Sequence, residues 1–161
     1  MIFMNLKFNP MKIKSIFSIF CLMFLFSACV STKSTLKNVD ENAPNPKITA
    51  ENTFLITEYC KDPKYGFDPD YPINLYFRNL KEETNNLNRY FNALTGPKGE
   101  KVFFKKTDTC CPFPTKKSEM GAGNIDIYEV TWVGQKKPIQ VYINIFEKGV
   151  LMVPMGFGLK K

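Results

Sequence analysis

The stretch "NIDIYEVTWVGQKKPIQVYINIFE", residues 124 to 147, decides the fold. Ile127 to Val133 and Ile139 to Phe146 are two runs rich in β-branched and aromatic residues, separated by Gly-Gln-Lys-Lys-Pro. Such runs around a turn read as an antiparallel β-hairpin. Because successive strand side chains point to opposite faces, Ile139, Val141, Ile143 and Ile145 share one face, the expected core side. Gln140, Tyr142, Asn144 and Phe146 share the other. That second face is not purely polar. Tyr142 and Phe146 are expected to meet Tyr128 or Trp132 across the hairpin, either as simple cross-strand packing or as a binding face made of Tyr128, Trp132, Tyr142 and Phe146.

Upstream, "NLKEETNNLNRYFNALTG" sets Leu80, Leu87, Phe91 and Leu94 at helical spacing, with Glu82 and Glu83 in the first turn and Gly96-Pro97 beyond the end. One helix with a single apolar stripe is therefore expected to lie on the sheet. "TFLITEY" (53 to 59), "INLYF" (73 to 77), "EKVFFKKT" (100 to 107) and "VLMVPMGF" (150 to 157) read as further strands, the last at an edge because Pro154 cannot donate to a ladder. The fold class is α+β: a small, mostly antiparallel sheet of about five strands with one helix packed on it.

The other end of the chain carries an address. From Met11 the sequence runs "MKIKSIFSIFCLMFLFSACVSTKS": Lys12 and Lys14, an apolar run from Ile16 to Phe26, the small pair Ser27 and Ala28, then Cys29. This order is that of a secretory signal, and the apolar run is well short of the roughly 20 residues that a helix needs to cross a bilayer. "LFSAC" resembles the lipobox of bacterial lipoproteins, with Phe26 where leucine is most common. The resemblance implies cleavage before Cys29 and acylation of that cysteine, a stable tether once more than one chain is attached. The expected divisions are a lipoprotein signal peptide at 1 to 28, the lipidated Cys29 and a tether to residue 51, and one α+β domain over 52 to 161. In the tether, "VSTKSTLKNVDENAPNPKIT" is polar, carries Pro44 and Pro46 and has almost no large apolar residues, so it reads as a flexible spacer, the alternative being an arm that docks on the domain.

Cleavage there leaves 133 of the 161 residues, enough for one domain with a modest core. It also removes three of the 22 basic residues, Lys7, Lys12 and Lys14, so the net charge falls from +7 to +4, with 19 basic groups against 15 acidic ones. Nucleic acid is not an expected partner of an exported chain with so slight a surplus. The absence of histidine removes histidine-based triads, Cys-His nucleophile pairs and imidazole zinc sites. No cofactor is implied.

Cys60, Cys110 and Cys111 remain beside Cys29. In an oxidising compartment a bridge from Cys60 to Cys110 or Cys111 is the favoured reading, because neighbouring cysteines can pair only through a strained eight-membered ring. A redox dithiol at Cys110 and Cys111 lacks the usual two-residue spacing. A copper(I) site would need Met152 or Met155 to join the pair. Asp62, Asp68 and Asp70 lack the alternation of a calcium loop and read as turn formers.

The segments "YFNALTGPKGEKVFF", "TCCPF", "YEVTWVGQKKPIQVYINIFE" and "VPMGF" together resemble a family of short, uncharacterised bacterial envelope lipoproteins, over most of residues 59 to 158. The resemblance implies a lipid-anchored envelope protein, and the lack of Asp at position 30 is compatible with sorting to the outer membrane, facing the periplasm, which is the expected placement over the inner membrane. Its partners would be the membrane, through the acyl chains, and an envelope protein or glycan. Some relatives carry the label 2-dehydro-3-deoxyphosphooctonate aldolase. Such aldolases are barrels of about 250 residues acting on cytoplasmic phosphorylated substrates, so size and export both argue against that activity here. The two function classes in view are a non-catalytic binding or structural module and a thiol-dependent or sugar-acid-related enzyme.

Overall fold

A computed structural model describes residues 34 to 76 and 80 to 160, with the backbone alone for 80 to 82. The expected signal peptide, Cys29 and the side chains of Leu80 and Glu82 lie outside the described residues. In chain order the elements are β1 (Ile73–Asn74), α1 (Leu80–Ala93), β2 (Leu94–Thr95), β3 (Val102–Pro114), β4 (Ala122–Trp132), β5 (Ile139–Asn144) and β6 (Gly158–Leu159). The architecture is α+β.

The β4–β5 hairpin forms as its alternation predicts, with Tyr128 opposite Val141 and Val130 opposite Ile139. β3 extends it in antiparallel register from Val102 opposite Trp132 to Pro114 opposite Ala122. β1 adds to the other edge of β5 in parallel, which makes an open mixed sheet in the order β1-β5-β4-β3. The closed eight-stranded barrel implied by the aldolase label is not this architecture. β2 and β6 form a separate two-stranded antiparallel pair.

Register fixes two faces. Tyr128, Val130, Val141 and Ile143 point towards α1, whose Leu87, Tyr90 and Phe91 complete the main core. Phe91 stacks on Phe104 at 4.3 Å and lies 5.7 Å from Tyr128. On the opposite face a smaller cluster joins Phe113 and Ile125 with Tyr142, Phe146 and both Cys110 and Cys111. Leu36 and Val39, from the chain before the expected domain, complete it.

The flexible spacer expected up to residue 51 is therefore corrected. Residues 34 to 51 belong to the same compact unit as the sheet, and the docking arm is the form observed. Leu36 and Ala43 are buried, Lys37 N donates to Asp70 O and Asp40 N donates to Lys148 O, both at 2.8 Å. Few apolar residues suffice because the arm is held mainly by backbone hydrogen bonds and two asparagines. Asn74 Nδ2 donates to the carbonyl oxygens of Lys37 (3.1 Å) and Asn38 (2.8 Å) and its Oδ1 accepts from Asn144 Nδ2 (2.9 Å). Both amides are buried and bonded, so neither incurs the cost of an orphaned polar group.

Two expected strands are also corrected. Residues 53 to 59 and 150 to 157 form only isolated bridges: Phe54 pairs with Ile48 of the arm, and Tyr59 pairs with Val153. Pro154 directly after the second bridge has no N–H with which to continue a ladder.

Candidate functional site

The structure separates the residues that the sequence groups as a binding face. Tyr128 and Trp132 lie on the α1 side, where Trp132 meets Phe157 edge-on at 5.5 Å. Tyr142 and Phe146 lie on the arm side, and Phe146 meets Phe113 edge-on at 6.1 Å. The four share no continuous surface. The apolar residues on the second face of the hairpin pack against Leu36 and Val39 of the arm.

The cysteine pairing is corrected as well. Cys110 and Cys111 are bonded to each other, and Cys60 is a buried free thiol. The physical reason is placement. Cys60 packs in the main core, whereas β3 carries Cys110 opposite Ile125 on the arm side. The adjacent bond that spacing disfavours is accommodated by a break in the ladder between Cys110 and Phe113, with Cys111 at φ 56°, a left-handed conformation that few non-glycine residues adopt. Met152 packs on the main core and not with the pair, and Met155 is exposed. Among the described residues no group of three or more histidine, cysteine, aspartate or glutamate side chains converges on a metal position. Asp62 and Asp68 make turns, accepting from the N–H groups of Lys64 and Asp70 at 2.9 Å.

Cys60 sits in a nest of tyrosines. Tyr90 Oη donates to Met152 O (2.8 Å) and Tyr65 Oη accepts from Met152 N (3.1 Å). Burial pushes the hydroxyls of both tyrosines well above the usual range, and burial together with the Cys60 thiol raises that of Tyr71. Neutral tyrosines that brace an irregular segment are a structural arrangement.

Three polar features escape sequence reading. The carboxylate of Asp126, 6% exposed, accepts at Oδ1 from Lys106 Nζ (2.7 Å) and Thr109 Oγ1 (3.0 Å), while Oδ2 is buried without a partner among the described residues. The Asn74–Asn144 pair is the second. The third is a cleft of about 780 Å³ at the sheet end where the arm enters. It is lined by Ser34, Leu36, Val39 and Glu41 of the arm, by Lys116 and Lys117 of the β3–β4 turn, and by Glu147. Lys117 Nζ bonds Glu41 at 2.9 Å and stands 5.3 Å from the centre of the Tyr76 ring. The hydrogen bond to Glu41 holds the Lys117 ammonium above its usual range. Glu147 is 4% exposed. The only advance signal for this cleft is the lysine pair just before Gly121, which reads equally well as a solvated turn.

No helix among the described residues is long and apolar enough to cross a membrane. No family model matches this chain, and no curated protein and no solved structure is significantly similar to it.

Proposed function

We propose that this protein is a lipoprotein of the bacterial cell envelope, anchored through acyl chains on Cys29, whose α+β domain serves as a non-catalytic binding or structural module. The observation that carries the reading is the ordered series of basic start, short apolar run, Ser27-Ala28 and Cys29. The family resemblance points the same way, as does an arm that is already packed on the sheet at Leu36, seven residues after the cysteine. Anchorage at the outer membrane, facing the periplasm, belongs to this reading. An envelope protein or glycan is its expected partner.

The test is the intact mass and fractionation of the chain made in a bacterium with a lipoprotein pathway. The expected mature protein starts at Cys29, carries acyl chains and sediments with membranes, and Cys29→Ala abolishes the acylation. A wild-type chain that is exported, unacylated and found in the soluble fraction would sink the proposal.

A second reading rests on the Cys110–Cys111 bond: the pair is a reducible group near a domain surface, and a dithiol–disulfide role would use it directly. Replacement of both residues by serine distinguishes the readings. A module whose binding does not depend on the pair keeps its partner, whereas a thiol protein loses its activity.

A further inference from the structure

Exposed apolar residues are common on any protein surface, and Met120, at 88% exposed, would mean little alone. Its surroundings give it meaning. The β3–β4 turn that displays it is tightly fastened: Thr115 N donates to Gly121 O (3.0 Å), Gly121 N to Ser118 O (3.0 Å), Lys117 N to Thr115 Oγ1 (3.1 Å) and Met120 N to Ser118 Oγ (3.3 Å). Met120 is thus held outward on a fixed support, directly after the exposed Glu119 and on the same turn as the exposed Lys116 and the partnered Lys117.

The turn also has a particular neighbour. Ser34, where the described chain begins, lines the same cleft as Lys116 and Lys117. Four residues separate Ser34 from Cys29, and the five links of extended chain reach at most roughly 18 Å. A lipidated Cys29 therefore cannot hold this end of the sheet far from the bilayer. At the opposite end, Val133 follows β4 and is also exposed, at 76%. Ten residue steps along β4 separate Ala122 from Trp132, about 33 Å of strand.

We propose that the β3–β4 turn is a membrane-contact surface, in which Met120 enters the interface of the phospholipid bilayer that holds the acyl chains and Lys116 lies among its phosphates. The inference rests on the anchorage at Cys29 proposed above. Because the anchor already confines the turn to the surface, a contact too weak to recruit a free protein suffices to orient this one. The sheet then stands with its Val133 end away from the membrane, free for a partner.

The test uses the full acylated chain in vesicles of phosphatidylethanolamine and phosphatidylglycerol, with or without bromine on the acyl chains. Trp132 is the only tryptophan and supplies the baseline. Bromolipid is expected to leave the wild type unchanged, to quench the added indole of Met120→Trp, and to spare that of Val133→Trp. An unquenched Met120→Trp on protein that floats with the vesicles and shows acyl mass overturns the inference and leaves the anchor standing. Equal quenching at positions 120 and 133 overturns it too, since no end is then preferred. A chain without acyl mass that stays unbound refutes the anchor reading and, with it, this one.

Discussion

Gly149→Ala is the substitution that isolates the docked arm. A methyl group at this position would overlap the carbonyl oxygen of Asn38 and press on Asn74, whose Nδ2 and Cβ would be 3.0 and 3.1 Å away. The main obstacle is backbone, so no change of rotamer relieves it and the arm must lift. Lifting breaks the bonds from Asn74 Nδ2 to Asn38 O and from Asn38 Nδ2 to Val150 O, each 2.8 Å, and strands the Asn74 amide in a buried site. Two hydrogen bonds and part of one desolvated amide come to about 3 kcal/mol, a factor of roughly a hundred in the opening equilibrium. The readout is amide hydrogen exchange at Lys37 and Asp40, whose N–H groups donate to Asp70 O and Lys148 O. Both should exchange about a hundredfold faster in the variant, while amides in the centre of β4 keep their protection. Unchanged protection at Lys37 and Asp40 would refute the account of how the arm is held. Equal losses in arm and β4 would refute its independence from the sheet.

Three further outcomes follow from the same structure. Alkylation of the unreduced, denatured protein should label one thiol among Cys60, Cys110 and Cys111, and all three after reduction; a peptide linking Cys60 to either of the others would overturn the pairing described above. The Tyr128 hydroxyl is pushed up to about 12, chiefly by burial and then by the charges of Asp126 and Glu83, against an ordinary 10.0. Its contribution to stability is complete below pH 10 and is lost as pH rises towards 12, because the unfolded chain gives up this proton first. Tyr128→Phe should therefore flatten the fall in urea midpoint over that interval, and a profile parallel to the wild type would show that another group governs it. Lys106→Met leaves the Asp126 carboxylate without its cation and should cost about 2 kcal/mol, less than for a fully buried pair because Lys106 is half-exposed. Adding Asp126→Asn should recover at least half of that loss, and simple additivity of the two substitutions in denaturant melts would contradict the pairing.

The main sheet was legible because its signal is local. β4 and β5 alternate over enough residues to fix the hairpin and the faces of Val141 and Ile143, and α1 has Leu87 and Phe91 at the right spacing ahead of a Gly-Pro stop, although the helix ends at Ala93 and Leu94 begins β2. The two missed strands fail for a reason that propensity does not contain. Phe54 and Ile56 are buried while Leu55 and Thr57 are exposed, so the alternation at 54 to 57 is real, yet a ladder needs a partner with successive N–H groups. The segment opposite supplies Val153 and then Pro154, and only the Tyr59 bridge forms. β3 ran on beyond Thr107 because a bulge at that residue and a second break after Cys110 absorb the irregular stretch Cys-Cys-Pro within the strand.

The arm was the harder reading, and its clue lay elsewhere in the chain. Low apolar content makes residues 30 to 49 look unable to offset their ordering entropy, and for an isolated segment that inference holds. A segment that docks needs less, since the sheet supplies the apolar partners and the Asn74–Asn144 pair the polar ones. Tyr142 and Phe146 on the supposedly wet face of β5 were the sign that something covers it. A close approach is also encoded at Gly123, where a Cβ would fall 2.7 Å from the Phe146 ring and 3.0 Å from that of Phe113. The small cluster thus places the Cys110–Cys111 bond, the arm and the β3–β4 turn at one end of the sheet. Whatever loosens that cluster is therefore expected to loosen the docked arm with it, since Leu36 and Val39 are part of it.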